Sequence, residues 1–435
     1  MFHHNSAVES GGGIYSGGEN WSDSQLHNIV VSENTAGQDG GGIYLTHSKN
    51  RIKIYDLTLS DNTAVNKGGG LFTRFSDPTI DRAIISGNSA EYGGGIYVWD
   101  RRVVLKLVNT LFFDNIAAQL GSAISAYDRP QVKIFHSTFS QNTASDQSTI
   151  YANAGSKIYL FNSIIWDSET PKKVVFGGTG NQTGKFEARS SIIQGLESIE
   201  ASDNSDVIDY DNTSFETDPY FSNPGSNDFN LKNYSPAIGY ASTSKSLSPY
   251  GDSTAVGEDL TNASRSAGPD MGAYENSLDS PANAPPLMNT ISDLTISEDS
   301  GEKLVIFAGV SDGDFHSEQS MTVTSMSADA TLIPHPTPSY ISPNTTGSIT
   351  FTSAANANGT TTLTVKLTDD AGTENDGVDT LLTSFNVIIT PVNDPPSVTS
   401  TSISTAENVT SVGNIEANDP EDDPSITSLR ITAHS

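Results

Sequence analysis

Two short motifs recur in step through the first third of the chain, and that periodicity restricts the fold more than any other feature. Gly-Gly-Gly-Ile-Tyr at 11–15 returns at 40–44 and 93–97, and as Gly-Gly-Gly-Leu-Phe at 68–72. Degenerate copies follow at Gly121-Ser122-Ala123-Ile124 and Ser148-Thr149-Ile150-Tyr151. The aliphatic positions 14, 43, 71, 96, 124 and 150 are 29, 28, 25, 28 and 26 residues apart. A second motif, an apolar strand end followed by asparagine, keeps the same beat. Its asparagines, Asn34, Asn62, Asn88, Asn115 and Asn142, are 28, 26, 27 and 27 apart.

A unit of this length cannot bury a core alone. Its apolar runs are β-branched or aromatic and alternate with period two, its turns are rich in Gly, Asn, Asp and Ser, and no helical period is present. One coil of a parallel β-helix meets all of these conditions, with equivalent residues stacking about 4.8 Å apart along the axis. A propeller blade, at about 40 residues, is too long. The spacing therefore predicts an inward stack of Val31, Leu59, Ile85, Phe112 and Phe139, and a second of Ile14, Ile43, Leu71, Ile96, Ile124 and Ile150. The asparagines are expected to form a buried amide ladder, and the glycine triplets a tight corner with positive φ.

These residues resemble the polymorphic outer-membrane-protein repeat of bacteria, marked by Gly-Gly-Ala/Ile and Phe-x-x-Asn. The match spans about 7–165, with weaker strand-like coils to about 215. The resemblance implies a right-handed β-helix displayed at a bacterial surface, in adhesins or passenger domains. The fold expectation is all-β, a right-handed parallel β-helix over 1–215. Residues 216–280, with Asp218-Pro219-Tyr220-Phe221, Ser235-Pro236-Ala237-Ile238, Arg265 and Pro269-Asp270-Met271-Gly272, resemble the segment that closes many bacterial surface β-helices. There Ser-Pro-Ala-Ile is usually followed by Asp, where this chain has Gly239. The physical expectation is a cap over the open end of the solenoid.

Pro281 to Pro286 reads as a linker. Beyond it the charge changes: residues 281–435 hold three basic against 20 acidic side chains, within a whole-chain net charge of −30. Short alternating runs at 293–296, 304–307, 321–323, 348–351, 362–367 and 385–389 predict an antiparallel β-sandwich over 287–396. Residues 397–435 begin a partial second copy. Val392-Asn393-Asp394-Pro395-Pro396 resembles the joint between bacterial cadherin-like repeats. That resemblance implies calcium (Ca2+) near the junctions, with Glu298, Asp312, Asp314, Asp369, Asp370, Asn393, Asp394, Asp419 and Glu421 as ligands. Ala284 stands where Asp would sit in the joint before the first repeat, so a site there is expected to be weak or missing. Clustered carboxylates and a carbonyl-rich turn can supply the six to eight oxygens calcium takes.

Two outward columns could carry function. Six residues before each ladder asparagine stand Asn28, Asp56, Arg82, Asn109 and His136, facing outward by strand alternation. Asp56, Arg82 and His136 could hold a uronate and abstract a proton, the catalytic alternative; a solvated face with one ion pair is the plainer reading. The residues after the inward isoleucines, Tyr15, Tyr44, Phe72, Tyr97 and Tyr151, form an aromatic stripe interrupted at Ser125. Such a stripe can bind sugar rings or a protein, or simply stabilise stacking.

The chain has no cysteine, which excludes a disulfide framework, a zinc–thiolate centre and a thiol nucleophile. The acidic excess argues against nucleic acid as partner. No membrane span, signal peptide, phosphate loop, Gly-x-Ser-x-Gly or His-Glu-x-x-His is present in the sequence. Arg51-Ile52-Lys53 matches a polygalacturonase tripeptide without that family's other motifs. The expectation is a secreted or cell-surface, outer-membrane-associated binding protein or adhesin. It is expected to meet glycan or a cell-surface protein and to be truncated at both ends. The alternative is a secreted polysaccharide lyase or glycoside hydrolase.

Overall fold

The computed structural model describes residues 1–17, 24–153, 155–167, 173–177, 183–199, 207–243, 256–393, 397–398 and 417–418. The chain divides into two compact units, Met1–Ala282 and Asn283–Ser435.

The first unit is a parallel β-solenoid with three sheets. Four long strands, Gln25–Ser32, Lys53–Ser60, Thr79–Ser86 and Val104–Phe113, lie side by side in one parallel sheet that continues through Gln131–Phe135, Lys157–Phe161, Lys185–Arg189 and Val207–Tyr210. Short strands such as Thr35–Ala36 and Thr63–Ala64 build the second sheet. Seven strands from Ile14–Gly17 to Val174–Gly177 build the third.

Register runs coil on coil: Leu59 pairs with Ile85 and Ile85 with Phe112. Both expected apolar columns point into one core, and the Phe112 and Phe139 rings stack at 4.6 Å. Leu196 and Ile199 add to the last layer of that core. Every such layer removes several large side chains from water, each worth about 1.5–3 kcal/mol.

The asparagine ladder is present and one rung longer than expected. Nδ2 of Asn5, Asn34, Asn62, Asn88 and Asn115 each donates to Oδ1 of the next asparagine, at 2.8–3.0 Å. The backbone N–H of Asn142 then donates to Asp167 Oδ1 at 3.0 Å, so a buried carboxylate terminates the series. The triplet glycines divide their work. The first takes positive φ, as at Gly40 and Gly68, both +65°. The second has no room for a side chain: a Cβ on Gly69 would lie 2.5 Å from Gly94 O and from the Ser89 backbone.

Residues 216–243 and 256–280 lie along the flank of the solenoid, a correction to the expected end cap. Phe221, Phe229, Leu231, Ala237, Ile238, Met271 and Ala273 pack on Leu111, Ile164 and Ile192, outward residues of three coils, and Thr138, between the first two, accepts from Ala273 N–H. The reason is that those coils expose an apolar column, which this segment covers.

The second unit encloses one apolar core between a four-stranded and a three-stranded sheet. All six expected runs are strands, and Thr337–Ser339 is a seventh. The sheets are not wholly antiparallel: Leu294–Ser297 pairs in parallel with Thr380–Thr390. That pairing sets Leu294–Ser297 beside Val387–Thr390, at the Thr390 end of the long strand, whereas Asn283 is bonded to Val378 next to its Thr380 end. The expected linker is not free chain. Ala282 N–H donates to Asn233 O within the first unit, and Asn283 is bonded into the second. The partial copy at 397–435 falls almost wholly outside the described residues.

Candidate functional site

The column Asn28, Asp56, Arg82, Asn109 and His136 does not lie in a flat strand. All five residues have positive φ, between 45° and 57°, and the register steps over them, Asp81 pairing with Tyr55 and Ala83 with Leu57. Asn28, Asp56, Arg82 and Asn109 are bends within their long strands and His136 is the bend just after Gln131–Phe135, and the bend, not alternation, turns the side chain outward. Asp56 and Arg82 form a two-point ion pair, Nε to Oδ1 at 2.7 Å and Nη2 to Oδ2 at 3.3 Å. Asp81 and Glu258 lie at 3.4 and 3.7 Å from the same guanidinium.

His136 is only 4 % exposed. Asn162 holds its amide orientation by accepting from Ser242 N–H and donating to Ser242 O, and its Nδ2 also donates to His136 Nε2 at 2.9 Å. The histidine proton is therefore on Nδ1, which donates to Asp270 O at 3.1 Å. Burial, reinforced by Arg265, pushes its pKa well below the ordinary histidine value. A neutral ring with both nitrogens occupied is a fixture of the packed flank. Asp56, Arg82 and His136 are thus not brought together as a reactive group.

Over this column lies a polar knot in which Arg265 and Asp270, named above for the closing segment, meet Glu275 and Asn109. Arg265 and Glu275, 1 % and 4 % exposed, pair at 2.9 Å. Arg265 Nη2 also donates to Asn109 Oδ1 and Gly272 O. Asp270 Oδ1 accepts from Gly239 N–H at 2.8 Å, and burial pushes its carboxyl up to about 7. Gly239 has φ of +73°, and a Cβ there would lie 2.4 Å from Asp279 O, so the aspartate common at this place has no room here.

The aromatic stripe is a real stack. Tyr15, Tyr44, Phe72 and Tyr97 follow one another at 5.3, 4.8 and 5.7 Å with interplanar angles of 2–4°. Its exposure differs from expectation: Tyr15 is exposed, but Phe72, Tyr97 and Tyr151 are buried. Neighbouring side chains cover them. Trp99 meets Phe72 edge-on, and Lys67 rests over the Tyr97 and Trp99 rings. Where the stripe is interrupted, at Ser125, a cleft of about 470 Å³ opens, lined by Lys67, Tyr92, Tyr97, Trp99, Tyr127 and Tyr151 among others.

In the second unit the acidic candidates fall at two places. Asp369 Oδ1 accepts from Asn283 Nδ2 at 2.8 Å, and Asp314 Oδ2 accepts from Gln319 Nε2 at 2.6 Å. Gln319 Nε2 also reaches Asn283 Oδ1, and its backbone N–H donates to Asp312. Asp370 accepts from Ser320 N–H. Asp369 Oδ2 and Gln319 Oε1 are buried without a hydrogen-bond partner. Burial and the neighbouring Asp312 and Asp369 charges push Asp314 up to about 6. Glu298 is elsewhere, buried and accepting from Val392 N–H at 2.6 Å, with exposed Asn393 following. Asp394, Asp419 and Glu421 lie outside the described residues. Among the described residues, no three carboxylate or histidine side chains are grouped closely enough to hold a metal.

A family model described as a right-handed β-helix region matches residues 12–184. Together with the stacked parallel sheets, it makes the N-terminal part of this chain a right-handed parallel β-helix. Neither curated proteins nor solved structures returned a match. Among the described residues, no helix is long and apolar enough to cross a membrane.

Proposed function

We propose that this chain is a non-enzymatic binding protein of adhesin type, secreted or carried on a bacterial cell surface. In this reading the β-helix presents a side face to glycan or to a cell-surface protein. The observation that carries it is the state of the outward column. Its ion pair is already closed, and its histidine is neutral, buried and bonded at both ring nitrogens. A lyase or hydrolase working from that column would need a reachable base. The stacked rings and the cleft at Ser125 offer a binding surface instead.

The second unit is read as a cadherin-like repeat stiffened by calcium. The donor chemistry fits a hard cation: Asp314, Asp369 and the amide oxygens of Asn283 and Gln319 are all oxygen ligands, and two of these oxygens lack partners. A bound cation would neutralise the carboxylates and tie the first residues of the unit to its loops. Asn393 and Glu298 would serve the opposite junction.

The test is incubation of the whole chain with insoluble polysaccharides and with bacterial and host cells. Each supernatant is assayed for new reducing ends and unsaturated sugars. Retention without cleavage is expected; release of either product would overturn the reading in favour of the enzyme alternative.

A further inference from the structure

The stripe of stacked rings on the third sheet loses one member, and the loss makes a hole of definite shape. Ser125 pairs in register with Tyr97 in the preceding coil and with Tyr151 in the following one. Both neighbours carry a ring, so one ring's place is missing from a column whose other rings stack at 4.8–5.7 Å. The hole is closed at its sides as well. Tyr127 and Trp99, paired in adjacent coils, stand along one edge. Tyr92 and Leu120, paired at the neighbouring corner, stand along the other.

The chemistry of this lining is mixed in a particular way. Tyr127, 44 % exposed, is an open ring face. Four tyrosines, Tyr92, Tyr97, Tyr127 and Tyr151, and Asn153 border the same space. The phenols of Tyr92, Tyr127 and Tyr151 lie near enough to Tyr97 to push its ionisation further up. Tyr92 spends its proton on Gln119 Oε1 at 2.9 Å, which leaves its oxygen as an acceptor toward other donors. A purely aromatic guest would leave these polar atoms unanswered. A flat ring with an apolar face and a rim of hydroxyls would answer both. The volume, about 470 Å³, lies within the range of small-ligand sites. The net charge of −30 disfavours a polyanionic chain at long range.

We infer that the cleft at Ser125 binds one pyranose residue of a neutral polysaccharide, seated against Tyr127 in the place of the missing stripe ring. The inference rests on the binding-protein reading and narrows it to one cleft and one ligand class. It also makes Ser125, a small residue in a column of rings, the position that creates the site.

The experiment uses the whole chain and four soluble probes: cellohexaose, mannohexaose, a β-1,4-galactohexaose and, as the acidic contrast, hexagalacturonate. Binding is read by titration calorimetry and indole fluorescence. Ser125→Tyr restores the missing ring and should weaken binding at least tenfold, with a melting temperature no lower than that of the wild type. Tyr127→Ala, a change at an exposed ring, should weaken binding without unfolding and serves if Ser125→Tyr misfolds. Binding by a neutral hexaose that survives both Ser125→Tyr and Tyr127→Ala overturns the cleft while leaving glycan binding in place. Preference for hexagalacturonate, or failure of every probe, overturns the inference. The adhesion assay above then decides the broader reading separately.

Discussion

Arg265 Nη2 donates to Asn109 Oδ1 at 2.9 Å across 156 residues of sequence. Asn109 is a bend of the fourth long strand, and Arg265 comes from the segment laid along the flank. The same guanidinium holds buried Glu275, so one side chain joins the solenoid wall to the knot that fastens its covering.

Removing Arg265 should therefore strip that covering. Arg265→Leu leaves the Glu275 carboxylate buried without its counter-charge, a loss of about 3–5 kcal/mol for pairs of this kind. Limited proteolysis should cut within 216–280 while the first coils remain protected. The double variant Arg265→Leu/Glu275→Leu should regain much of the loss; equal proteolysis of single and double variants would contradict this.

The knot should also make stability depend on pH. Asp270 has a folded pKa of about 7 against an ordinary 3.8, raised by burial beside Glu275. A raised carboxyl binds its proton more tightly when folded, so its contribution is fully present below pH about 4 and declines as pH rises to about 7. The slope is at most about 1.4 kcal/mol per pH unit. His136, whose folded pKa is lowered, acts in the opposite sense, its contribution falling as pH drops below 6.5. The comparison that isolates Asp270 is Asp270→Asn against wild type in urea melts from pH 4 to 8. The variant should gain relative to wild type as pH rises and level off above 7.

Asn88 should be among the costliest single positions in the solenoid. It accepts from Asn62 N–H and Nδ2 and donates to Leu59 O and Asn115 Oδ1, all buried. Asn88→Ala leaves these partners unsatisfied, at about 1–3 kcal/mol each, and should cost about 3–5 kcal/mol in urea denaturation. Asn5→Ala, at a part-buried rung, should cost under about 1 kcal/mol.

Calcium should raise the melting temperature of the second unit. Asp369→Ala should abolish the rise. Because Asp314 holds its proton up to about pH 6, affinity should strengthen as pH increases through 6. A melting curve indifferent to calcium and chelator at pH 7.5 would refute it.

What the sequence made legible was whatever repeats. The apolar columns, the amide ladder and the glycine corners recur on one beat, and each recurrence constrains the next. Asp167 escaped notice because it lies two residues after Ile165, where Asn142 lies three after Phe139, and because a carboxylate replaces an amide. The outward column was found but its geometry misread. Asn28, Asp56 and Asn109 are residue types that tolerate left-handed backbone, which was the available signal for a bend. The flank contacts carried no signal at all, since Asn109 and Arg265 share no period and meet only in three dimensions. In the second unit Asn283 and Gln319, which stand between the carboxylates, were invisible without the fold.

The amide ladder has a direction. Each interior asparagine gives its backbone N–H and one amide hydrogen to the next asparagine's Oδ1 and takes the same pair from the one before, while its other amide hydrogen holds a carbonyl of the preceding coil, so the coils couple like identical connectors with a plug on one side and a socket on the other. Asp167 is a socket with no plug. A duplicated coil inserted anywhere upstream of it would find both halves waiting, whereas one spliced in after it would meet a side chain with nothing to give. The solenoid can thus be lengthened by copying its interior without redesigning its last rung, and tolerance to coil insertion should fall abruptly at residue 167.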